Sequence, residues 1–115
     1  SLSKNLRTVA MYIMQGNLNG LLLFLGSSPD SVNETDDNGT TPLMLAARAG
    51  KPEICNELIM HGASINAKDL DHWTALTFGA KYGHVNVIDT LLIHDADPEK
   101  TDIGGWTPLM WTCYN

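Results

Sequence analysis

Apolar residues recur along this chain at helical spacing in short blocks, separated by turn-forming glycine, asparagine and proline. Leu43, Leu45, Ala46 and Ala47 make one buried stripe, with alanines where helices must approach closely. Ile54, Leu58 and Ile59 make the next. Thr41 offers a hydroxyl to cap the first of these helices, and Pro42 takes the first helical position, where its missing N–H costs nothing. Gly50 ends that helix in a left-handed conformation, Pro52 opens the second, and Gly62 closes it. The plan repeats through Gly83, Val87, Leu91 and Leu92. Upstream, residues 6–14 and 18–25 read as two further helices joined at Gly16-Asn17. Every predicted element is a helix, so the fold class is all-α.

The blocks return in phase. Thr41-Pro42-Leu43, Thr74-Ala75-Leu76 and Thr107-Pro108-Leu109 recur at steps of 33 residues, as do Asp36, Asp69 and Asp102. Ala47 matches Ala80, Gly50 matches Gly83, Leu58 matches Leu91, His61 matches His94 and Ala63 matches Ala96. A fixed period of this length marks a solenoid of stacked helix–turn–helix units. The period divides the chain into a degenerate capping unit at 1–34, full units at 35–67 and 68–100, and a partial unit at 101–115 holding a first helix only. From Gly16 to Asn33 is one residue longer than from Gly50 to Asn66, which places an insertion near Ser27-Ser28-Pro29. Gly20, inside a predicted helix, costs about 1 kcal/mol relative to alanine. The partial unit leaves Leu109 and Trp111 partly uncovered. It implies a longer natural chain, and the uncapped C-terminal end is a candidate for self-association.

The phrase Asp-x-x-Gly-x-Thr-Pro-Leu, then Ala-Ala-x-x-Gly, then Gly-Ala-x-x-Asn runs through residues 36–66 and resembles the ankyrin repeat. The likeness implies an ankyrin-repeat solenoid that binds another protein, a peptide segment or a domain, through its concave face. His72 and Asp95 stand where that pattern has glycine, and both residue types tolerate a left-handed backbone better than most. A narrower likeness lies in residues 69–76 and 104–114. Those stretches are similar to the N-terminal repeats of the kinase D-interacting, ankyrin-repeat-rich membrane-spanning scaffolds. That likeness implies a cytosolic array serving membrane-receptor signalling.

The resemblance also sorts candidate contact residues, because turn tips and first helices line the concave surface of such arrays. Tip positions include Leu70, Asp71 and Trp73, then Ile103 and Trp106; helix positions before each closing glycine include Arg48, Lys81, Tyr82, Tyr114 and Asn115. Trp73 and Trp106 share a register, expected to be open to solvent, and Tyr82 and Tyr114 extend an aromatic row. Exposed Trp and Tyr are the side chains most often found as interface anchors. The competing reading has both tryptophans pack on neighbouring tips and stiffen the array, which suits an architectural spacer. Asn33 and Asn66 each follow a leucine, Leu25 and Leu58, by eight residues, an arrangement resembling sites of asparaginyl hydroxylation. Hydrogen bonding to turn backbone accounts for the same residues more simply.

Charge and chemistry narrow the functions further. A net charge of −6 with seven scattered Lys and Arg excludes phosphate-backbone binding to nucleic acid. The acidic surplus reads as a solubilising surface, with a dedicated acidic docking face as the competing view. The longest apolar run, Leu21 to Leu25, is too short to cross a bilayer. Cys55 and Cys113 form no closely spaced pair and read as reduced, buried thiols in a cytoplasmic protein. No nucleophile–base pair, phosphate loop or metal cage is spaced for catalysis, so neither enzyme activity nor cofactor is expected. His94, Asp95, Asp97 and Glu99 read as a solvated turn.

Overall fold

The computed structural model describes residues 3–114. Helices α1 (Lys4–Gln15) and α2 (Leu18–Ser27) form the first hairpin, α3 (Pro42–Arg48) and α4 (Pro52–Met60) the second, and α5 (Ala75–Lys81) and α6 (Val85–Ile93) the third. Helix α7 (Pro108–Tyr114) follows, and no strand occurs among the described residues. First helices stack on first helices, α1 on α3 on α5 on α7, while α2, α4 and α6 make a second layer. The core is the seam between the layers. Val9, Ile13, Leu21, Leu25, Leu43, Ala46, Ala47, Leu58, Val87 and Leu91 are essentially inaccessible there.

The caps form as the sequence requires. Thr41 Oγ1 accepts from the Met44 amide at 3.2 Å, and Pro42 opens α3. Ala75 replaces that proline in the next unit. There Thr74 and Thr77 cap reciprocally, with Thr77 N donating to Thr74 Oγ1 at 3.3 Å and Thr74 N to Thr77 Oγ1 at 3.2 Å. His72 and Asp95 do take left-handed backbones, at φ 63° and 66°. Gly50, at φ 72°, has a second reason to lack a side chain. A Cβ there would lie 2.8 Å from the His84 ring, whose Nε2 is 2.9 Å from the Arg48 carbonyl oxygen. Gly20 is explained by packing as well, since a Cβ would fall 2.6 Å from the Tyr12 ring.

The extra residue of the first unit is absorbed by a 3-10 turn, Pro29–Asn33, that tucks Ser31 and Val32 into the core. Past that turn, asparagine side chains tie unit to unit. Asn33 donates from Nδ2 to the Gly62 carbonyl at 3.0 Å and accepts from the Ser64 amide at 2.9 Å. Asn66 accepts from the Asp97 amide at 2.9 Å.

Two expectations fail at the C-terminal end, for one reason. Cys113 is exposed rather than buried, although Ala47 and Ala80 in its register are 0% and 1% accessible. Those alanines face a second helix, and no described helix covers α7. Leu92 is 43% exposed, whereas its counterpart Ile59 packs against the core, because no described helix forms a further layer beyond α6. Cys55, by contrast, is fully enclosed, and burial pushes its thiol up to about 12.

Two outcomes test this packing. Iodoacetamide at about pH 8 alkylates Cys113 in the native protein and spares Cys55 until the chain unfolds, because only a thiolate reacts; native modification of Cys55, read by mass spectrometry, contradicts its burial. Ser31 Oγ is buried with no hydrogen-bond partner among the described residues. Ser31→Ala therefore leaves stability unchanged or raises it by up to about 1 kcal/mol in urea unfolding, since it removes an unsatisfied hydroxyl.

Candidate protein-binding surface

Each turn tip is built on its repeated aspartate. One carboxylate oxygen of Asp69 accepts from the amides of Asp71 and Trp73, both at 2.9 Å, and Asp69 N donates to the Trp73 carbonyl at 2.9 Å. Asp102 makes the same clasp with Gly104 and Trp106, at 2.9 and 3.0 Å. Asp36 does so with Asn38 and Thr40, both at 2.9 Å. The clasped tips are then laddered. Leu70 N donates to Asn38 O at 3.0 Å, and Ile103 N to Asp71 O at 3.1 Å. This holds Trp73 and Trp106 at equivalent points of successive tips, facing the first helices.

The tryptophans are half-buried rather than open. Trp73 packs edge-on to Phe78 at a centroid distance of 5.0 Å and lies 5.2 Å from Trp111. Trp106 is 4.6 Å from Trp111, and Tyr114 stands edge-on to both at 5.7 Å. Such tilted and edge-to-face contacts are the favoured aromatic geometries. Phe78 and Trp111 are 33 residues apart, in register with Leu45. One row of tip residues thus meets one row of first-helix residues, and both rows turn aromatic toward α7.

Polar groups frame the rings. Asp102, only 7% accessible, uses its second carboxylate oxygen to accept from Trp111 Nε1 at 2.9 Å, so three N–H groups converge on one carboxylate. The Lys81 ammonium sits 5.1 Å from the Trp111 ring centre and 5.4 Å from that of Tyr114. Between these groups lies an open groove of about 460 Å³ bordered by Asp71, Ile103, Trp73, Trp106, Lys81 and Tyr114.

Most of the expected contact residues meet at this groove. Leu70 stands exposed on the tip beside it, at 70%, and Ile103 at 67%. Tyr82, half exposed at the end of α5, is not among the stacked rings, and Arg48 stands exposed on α3 away from the groove. Asn33 and Asn66 lie in the ladder between units, and Asn115 falls outside the described residues. Sequence reasoning missed Trp111 and Asp102 as parts of the groove, and Phe78 as the buried ring that backs Trp73. The available signal was the register linking Phe78 to Trp111.

No described helix is long and apolar enough to cross a membrane. A model of ankyrin repeats, three copies, matches residues 8–102. The NAD-capped RNA hydrolase NUDT12 of Homo sapiens, and those of Pongo abelii and Macaca fascicularis, are each 46% identical over 48 residues. That stretch is 42% of this chain and 10% of each hydrolase.

Replacing Trp111 by phenylalanine keeps a ring but strands the buried Asp102 oxygen. Trp111→Phe therefore lowers unfolding stability by about 1–3 kcal/mol, measured by urea denaturation; an unchanged midpoint contradicts the bond's role.

Proposed function

Because the chain belongs to the ankyrin-repeat family, whose members are generally protein–protein interaction modules, we propose that it is a non-catalytic scaffold fragment that binds a partner protein through its concave face. The observation that carries this reading is the aromatic groove. Four rings from two tips and one first helix converge on a recess that the fold leaves open. Trp and Tyr are the residues most often responsible for interface energy. Trp73, Trp106 and Tyr114 are the anchors in this reading, Asp71, Leu70 and Ile103 the rim, Lys81 a border residue stacked on the rings, and Arg48 and Tyr82 the outlying contacts. The units run 1–34, 35–67, 68–100 and 101–115, and the uncovered apolar face of α7 packs on another layer, a second copy included.

The narrower likeness in residues 69–76 and 104–114 supports a place in a membrane-spanning receptor-signalling scaffold, on its cytosolic side. Asn33 and Asn66 are the positions where asparaginyl hydroxylation belongs, and their side-chain hydrogen bonds between units are a complete structural reason for the residues.

A second reading has a specific observation behind it. The tryptophans pack on one another and on Phe78, as an architectural spacer stacked against its own longer chain requires. Trp106→Ala separates the two. As a binding anchor, Trp106 contributes about 2 kcal/mol or more, so the purified partner binds about thirtyfold more weakly by calorimetry. Stability falls by less than that. A large stability loss with unchanged affinity of the folded variant assigns the ring to structure alone.

A further inference from the structure

The concave-face reading leaves open what the groove recognises, and its chemistry is specific enough to narrow the answer. The walls are aromatic: Trp73, Trp106, Trp111 and Tyr114. The charged side chains on its border are two carboxylates and one ammonium, Asp71, Asp102 and Lys81. Asp71 is exposed on the rim, and Asp102 lies beneath the rings with its oxygens held by three N–H groups. Ring faces and carboxylates both favour positive charge, and the chain as a whole carries −6. The structure also shows where a cation rests here, because Lys81 places its ammonium over Trp111 and Tyr114 at 5.1 and 5.4 Å.

Resting on the concave-face reading, we propose that this groove is a subsite for an arginine side chain of the partner's peptide segment. The guanidinium stacks in the part of the basin lined by Trp73 and Trp106, with Asp71 at its rim. Arginine fits better than lysine because a planar guanidinium both stacks on rings and meets a carboxylate with paired N–H donors. Lys81 is then not a ligand-binding cation but the internal occupant of the adjoining face, and its charge opposes an incoming arginine. That gives the proposal a sign. A groove built for an acidic partner would need Lys81, whereas one built for arginine binds better without its charge.

The probes are the capped peptide Ser-Gly-Arg-Gly-Ser and its counterparts with Glu or Leu at the centre, titrated to millimolar concentration at low salt. The readout is the indole N–H resonances in NMR spectra. The arginine peptide shifts the Trp73 and Trp106 signals saturably, and the Glu and Leu peptides do not. Lys81→Met, which keeps the apolar stem, tightens the arginine peptide about threefold, and Asp71→Asn weakens it about threefold. Both are surface substitutions read on protein whose spectrum remains that of the folded chain. No arginine-dependent shift, equal binding of the Leu or Glu peptide, or weaker arginine binding in Lys81→Met overturns the proposal. If these fail while Trp106→Ala still costs affinity for the purified partner, the concave face binds but not through arginine. If both fail, the binding reading falls too.

Discussion

The structure depends on a seam that no unit can bury by itself. A single hairpin of short helices presents one apolar face, and that face is removed from water only when the next hairpin arrives in the same register. The 33-residue step makes each arrival coincide: Leu58 and Leu91 are both inaccessible, as are Ala47 and Ala80 within 1%. The same constraint explains where burial stops. Leu92, Leu109, Met110 and Cys113 are exposed because the seam extends to them and no described layer lies beyond.

A second, polar regularity runs along the edge of the stack. An aspartate in each tip gathers two amides of its own turn, and backbone bonds then pass from tip to tip. Asparagine side chains do the same in the segments that follow the second helices. The clasp recurs at Asp36, Asp69 and Asp102 and the asparagine link at Asn33 and Asn66, so the backbone of each clasped tip is held whatever side chain stands between these positions. Thr40, Trp73 and Trp106 occupy one such position. The scaffold fixes where a tip residue stands and leaves its identity to function.

The fold was legible because its signals are local. Threonine caps, the glycine or tolerant residue at each helix end, and the phase of the apolar stripes can all be read within a few residues, and even His72 and Asp95 take the left-handed backbone their positions imply. The surface was legible only in part, because exposure is settled between units. Trp73 is half-buried owing to Trp111, a residue 38 positions away that belongs to the next unit. Tyr82 is expected from the sequence to extend the aromatic row, yet it caps the C-terminal end of α5 and stays out of the stack. Cys113 inherits a core register from Ala80 without the helix that makes that register a core. Register predicts direction, and a neighbour decides burial.

The central claim is that binding uses the tips and first helices, centred on the rings between α5 and α7. Amide hydrogen exchange, with and without a bound partner, tests it most directly. The account predicts that partner-dependent protection concentrates in residues 69–82 and 102–114. Protection confined to the outer surfaces of α2, α4 and α6, with the tips unchanged, would contradict it.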